Sequence, residues 1–168
     1  MKKLVIVVLI ATAGGWWYFI GGRTLSDPLV NDFYRDLEIA TLERKPEALC
    51  AMLADDFESV GIMTVGDQTQ TGNQNKVQTC EGYQTLYESW EKLGEKMGGI
   101  LQLDSKYTIH NISISPDHKA ATVDMSSSLD IGGSIMNLSA RSTDTLVRRN
   151  GKVLMLSSVA KGTAGSGL

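Results

Sequence analysis

Positions 4 to 22, LVIVVLIATAGGWWYFIGG, carry no charged side chain, and they stand between Lys2-Lys3 and Arg23. Nineteen helical residues at about 1.5 Å each span roughly 28 Å, close to the hydrocarbon thickness of a bilayer. This run predicts a single N-terminal transmembrane anchor over residues 1–23. A cleaved signal peptide is the rival reading, because Ala11-Thr12-Ala13 resembles a small-residue cleavage site after a Lys-bearing start. Cleavage there would leave only Leu4 to Ile10 as the apolar region, and a mature chain opening on GGWWYFIGG that a soluble domain would have to hide. Trp16, Trp17 and Tyr18 gather near one end, as amphipathic rings do at a membrane interface. The uncleaved anchor is therefore the expectation. No cysteine lies near the run, which excludes a lipoprotein anchor. Two lysines and the amino terminus on one side, against Arg23 on the other, place the N-terminus in the cytoplasm. The short MKKL opening reads as bacterial, so the expected location is the inner membrane with residues 24–161 as a periplasmic domain and 162–168 as a flexible tail.

The chain of 168 residues is 42% apolar and 21% charged, which fits one ordinary globular domain behind that anchor. Setting aside Lys2, Lys3 and Arg23 leaves 13 basic against 19 acidic residues, a net charge of −6 for the exported part. With no Lys/Arg cluster, nucleic acid is not an expected partner. Cys50 and Cys80, an even pair in an oxidising space, predict a disulfide that closes a loop of about 30 residues and stabilises by roughly 3 kcal/mol. Two unrelated buried thiols are the alternative.

Asp27-Pro28 marks a helix start, with Asp27 as its cap and Pro28 at the first helical position, and Leu29, Val30, Phe33, Leu37, Ala40 and Thr41 then share one face. Pro46 opens a second short helix at a new angle. Positions 55 to 65 suit a strand, the polar stretch 66–80 reads as a loop or weak edge hairpin, and Tyr83, Leu86, Tyr87, Trp90, Leu93 and Met97 predict a third helix from Glu81. From Leu103 onward four strands are separated by Ser115-Pro116-Asp117, Gly132-Gly133 and Asn150-Gly151, the last a strong hairpin signal. One face of this antiparallel meander is apolar and needs the helices as cover. The expected class is α+β, with three N-terminal helices packed on a curved antiparallel sheet and a transmembrane helix ahead of them.

DLEIATLERKPEALCAMLADDFESVG, followed by IHNISISPDHKAATVDM, resembles the helix–helix–strand passage and the later hairpin of the nuclear transport factor 2-like (SnoaL-like) superfamily. The resemblance covers about residues 28 to 161. It implies a cone-like roll whose open end often forms a pocket. The superfamily includes ketosteroid isomerase-like and polyketide cyclase-like enzymes, transport adaptors and periplasmic domains of single-pass scaffold proteins. It also implies that the sheet face away from the helices is a pairing surface, which here would be lined by Asp124, Asn137, Ser139 and Arg141, with Thr122 and Thr143 beside them.

Candidate pocket groups are Tyr34, Tyr87, His110 and Asp144. Alternation from Met136 through Leu138 and Ala140 brings Asp144 to the inward face, where it is either a pocket carboxylate or a structural partner of an arginine or tyrosine. His110 breaks the alternation of its strand, which a bulge at His110-Asn111 would explain. No nucleophile elbow, phosphate loop or metal-ligand cluster is present in the sequence, so no catalytic residue, metal or cofactor is assigned. The leading expectation is a membrane-anchored periplasmic protein-binding or assembly module without catalytic activity, with a protein partner in the cell envelope or a second copy of itself. An enzyme or carrier for a small apolar molecule in the cone is the first alternative, and a periplasmic immunity or inhibitor protein the second.

Overall fold

The computed structural model describes residues 22–165 apart from 97, 100 and 134. Nearly all of the expected anchor, the helical stripe's last member Met97 and the last three residues lie outside the described residues. Among the described residues no helix is long and apolar enough to cross a membrane.

The elements are α1 (Asp27–Leu42), α2 (Pro46–Ala51), β1 (Leu53–Val65), β2 (Gln68–Asn75), α3 (Lys76–Lys96), β3 (Leu103–Ile114), β4 (Ala120–Ile131), β5 (Met136–Arg149) and β6 (Lys152–Gly165). The six strands form one curved sheet in the order β2-β1-β6-β5-β4-β3, parallel only between β1 and β6. The class is α+β, with helices on one face of the sheet. The turns have their physical causes. Asn150 and Gly151 both hold positive φ (52° and 80°), as a type I′ hairpin requires between Arg149 and Lys152. Gly132 holds φ 65°, a conformation that favours glycine, and a Cβ there would require the terminal methyls of Ile135 and Leu101, at 2.7 and 2.8 Å, to shift.

Three local expectations change, and a fourth is narrowed to one of its two forms. Asp27 is the first residue of α1 and not its cap, which is Ser26. The polar stretch after Val65 takes the edge-hairpin form of its two readings: it is the edge strand β2, exposed along its whole length and paired with β1 across Gly66-Asp67. An edge strand of Gln, Thr and Asn pairs on one side and stays solvated on the other. Helix α3 starts at Lys76 and not Glu81, since Asn75 and Gln78 cap it reciprocally: Gln78 N–H donates to Asn75 Oδ1 (3.0 Å) and Asn75 N–H to Gln78 Oε1 (3.1 Å). Residues 162–165, expected in the flexible tail, extend β6 between β1 and β5. At Gly162 the packing is close, for a Cβ there would sit 3.2 Å from Met63 and from Ser139 O.

Two apolar clusters fill the space between helices and sheet. The first joins Val30, Phe33 and Tyr34 of α1 to Phe57, Val123, Met125 and Leu146; the second joins Ala40 and Leu49 to Tyr87 and Trp90 of α3, Leu101 and Ile131. The Tyr87 and Trp90 rings meet edge to face at 5.3 Å, so that part of the aromatic stripe is core. Cys50 of α2 and Cys80 of α3 are bonded, with Cα atoms 5.5 Å apart, and the bridge ties the six-residue α2 to the long helix. Such a short helix has no stability of its own.

The start of the described chain is also fixed. Leu25 is 2% exposed and its N–H donates to His118 O (2.6 Å), while Gly151 N–H donates to Gly22 O (3.0 Å).

Candidate functional site

Asp144 is the one charged side chain in the buried set, at 2% exposure. It stands on β5 with its carboxylate toward α1, as the alternation places it. Tyr34 OH donates to one oxygen at 2.8 Å and Ser158 Oγ–H, from β6, to the other at 2.7 Å. Burial pushes the Asp144 carboxyl above the ordinary carboxylate range, and the Ser158, Tyr34 and Ser142 hydroxyls pull it back only in part. The Tyr34 phenol is driven up, first by burial and then by the Asp144 charge, so it stays protonated and donates. Tyr83 of α3 is pushed up to about 12 by burial, with the nearby Tyr87 and Asp144 adding to it.

Beside Tyr34, α1 and the sheet enclose a cavity of about 300 Å³. Leu37, Glu38 and Thr41 of α1 form one wall; Tyr107, Met125, Ser127, Leu129, Leu138 and Ala140 of the sheet form the other, with Met63 at one end. Tyr34 and Tyr107 have their ring centroids 6.1 Å apart. Asp144 does not line this space: it lies behind Tyr34 and sets that ring's position. The arrangement is a largely apolar chamber with Glu38, Thr41 and several serines along its walls, against a tyrosine ring whose hydroxyl is held by a buried carboxyl.

No protein-family model and no curated protein sequence matches the chain. Solved structures do. An NTF2-like protein from Cytophaga hutchinsonii superposes with a TM-score of 0.51 at 13% identity, over 84% of this chain and 99% of that one. A ketosteroid isomerase-like protein from Erwinia carotovora atroseptica gives 0.51 at 12% identity, over 82% and 98%. A conserved protein from Planctomyces limnophilus gives 0.58 at 10%, over 83% and 97%. The fold is NTF2-like.

Within this NTF2-like domain the four candidate pocket residues separate. Tyr34 and Asp144 meet; Tyr87 and His110 do not join them. Tyr87 belongs to the second cluster and its hydroxyl donates to Thr41 O (3.2 Å). His110 is exposed on the sheet face turned away from the helices, where the register shifts between Ile109 and Asn111, and its Nε2 lies 2.9 Å from Ser126 Oγ. The extra residue of that bulge turns the imidazole outward. Asp124, Asn137, Ser139 and Arg141 share this outer face. Thr143 Oγ1–H donates to Asp124 (2.7 Å) and Asn137 Nδ2–H to Asp130 (2.6 Å). Sequence reasoning passed over Ser158 and the cavity lining. Ser158 sits opposite Asp144 in register, a relation available only once β5 and β6 are paired from the Asn150-Gly151 turn outward. Among the described residues no group of His, Cys, Asp and Glu is arranged to hold a metal ion.

Proposed function

We propose that this chain is a membrane-tethered periplasmic domain that holds one small apolar molecule between α1 and the inner face of its sheet. The cavity carries the reading. Its volume lies at the lower end of the roughly 300–1,000 Å³ typical of ligand pockets, and apolar walls with few polar groups are their usual composition. Asp144 keeps both oxygens occupied by hydroxyls behind Tyr34, which favours holding a molecule over transforming it. The bound Cys50–Cys80 pair supports an oxidising compartment. A tether over residues 4–22 would lead directly into Gly22 and Leu25, which are fixed to the β5–β6 and β3–β4 turns, so that end of the sheet would face the bilayer.

The test is recovery of the full chain in mild detergent, with solvent extraction and mass spectrometry of what it carries. Wild type is expected to retain one class of apolar molecule at near-equal stoichiometry. Ala140→Phe or Ser127→Phe, each filling the cavity from the sheet side, is expected to lose it while the circular dichroism spectrum is kept. Identical extracts from wild type and both variants would reject the proposal.

A protein-binding or assembly role is the second reading, and one observation favours it. The outer sheet face exposes Val60 (37%) and Val159 (50%) beside Asp124, Asn137, Ser139 and Arg141. Cross-linking of the intact protein in its native membrane is expected, on this reading, to trap a stoichiometric envelope protein or a second copy through these residues, and a solitary chain would exclude it.

A further inference from the structure

The outer face carries a second feature, whose lining shares Ser127, Ser128, Ser139 and Ala140 with that of the cavity. Across four neighbouring strands the register aligns two rows of side chains. One runs Ile62, Lys161, Arg141, Ser126; the next runs Thr64, Thr163, Ser139, Ser128. Lys161 and Arg141 are directly opposite each other on β6 and β5, the two central strands. Like charges in that position repel. Neither cation has an ion-pair partner among the described residues, although the domain is acidic. The carboxylates on the same face, Asp124 and Asp130, are engaged by Thr143 and Asn137. The two rows line a shallow depression of about 570 Å³.

We propose that this depression binds a tetrahedral oxyanion, a phosphate or sulfate group, between Arg141 and Lys161. A guanidinium fork takes two oxygens of such a group, an ammonium supplies a point charge, and the Thr163 and Ser128 hydroxyls of the adjoining row donate to the remaining lone pairs, the other two being engaged by Thr69 and Asn137. The anion would also relieve the repulsion between the two cations, which none of the described residues does.

The experiment uses the full chain in non-ionic detergent, titrated with sodium phosphate at ionic strength held constant with chloride. Wild type is expected to bind phosphate saturably, by calorimetry and by a rise in melting temperature. Arg141→Gln and Lys161→Gln are each expected to weaken that binding by about tenfold or more, since each removes a charge-assisted hydrogen bond. In chloride alone both variants are expected to melt at or above the wild-type temperature, because a like-charge contact has gone. Doping the detergent with phosphatidylglycerol distinguishes the sources of the group. Competition with phosphate would identify a lipid headgroup as able to reach the site, and no competition would identify a soluble ligand. The proposal is overturned by the absence of saturable phosphate binding, or by equal binding to the Arg141→Gln/Lys161→Gln double variant. It is also overturned if wild type is a dimer that this double variant dissolves, which would give the two cations to carboxylates of a second copy.

Discussion

Replacing Cys50 and Cys80 together with serine is expected to lower the free energy of unfolding by about 3 kcal/mol, because the unfolded chain regains the freedom of a loop of about 30 residues. For a domain of this size that corresponds to a fall in melting temperature of about 6–12 °C. The loss is concentrated where the bridge acts. Helix α2 has six residues, buries Leu49 and is held to α3 by this bond. Without it α2 is expected to fray before the sheet, which pairs through long antiparallel registers that do not depend on the bridge. Thermal melts with and without dithiothreitol provide the check. Reductant should bring wild type down to the level of the serine variant and leave the variant itself unmoved. Equal melting of wild type and variant would show that the bridge adds nothing to stability.

Asp144→Ala is expected to be costly, and Asp144→Asn close to neutral. Alanine leaves the buried Tyr34 hydroxyl, with Ser158 beside it, without the acceptor both use, at a cost of about 2 kcal/mol or more. Asparagine has the same shape, still accepts from Tyr34, and offers its amide to a serine hydroxyl that can turn. The two substitutions also separate by pH. Because burial raises the Asp144 carboxyl in the folded domain, its contribution is fully present below the unfolded value of about 3.9 and is lost as pH rises through the higher folded value. Exposed Asp55, Asp56 and Asp117 act in the opposite direction, since cationic or hydrogen-bonding neighbours lower them and their contribution is lost as pH falls. The difference between wild type and Asp144→Asn cancels those shared groups. Urea unfolding over a pH series is therefore expected to show wild type losing ground to Asp144→Asn as pH rises from about 4. A difference that stays flat with pH would mean that Asp144 does not titrate as its burial requires.

Much of the site's frame was legible along the chain. Alternation on β5 put Asp144 on the inner face because a strand's side chains strictly alternate and no bulge intervenes between Met136 and Asp144. The spacing of Phe33 and Leu37 likewise put Tyr34 near the core side of α1. His110 shows the limit of the same reasoning. One extra residue at the bulge reverses which face a side chain meets, and the anomaly in the sequence marked the bulge without telling which way the ring would point. Tyr87 looked like a pocket group because its helical stripe is apolar, yet the stripe belongs to a second cluster that the hydrophobic period cannot distinguish from the first.

What the sequence by itself determined was local: which segments are helices, which turns separate the last four strands, which faces are apolar, and which two cysteines could pair. These follow from interactions among residues a few positions apart, apart from the cysteines, whose even number in a candidate exported chain left one pairing. Only the tertiary structure decided the rest. The parallel pairing of β1 with β6 joins residues about a hundred positions apart, and it gave the small, polar 162–165 segment a strand's backbone partners on both sides. That pairing sets Met63 against Gly162 at the cavity's end, while the β5–β6 register, shifted once between Thr145 and Leu146, sets Ser158 opposite Asp144 and Lys161 against Arg141 on the outer face. Strand order and register are set by the summed burial of a whole sheet against its helices, a quantity that no window of sequence contains.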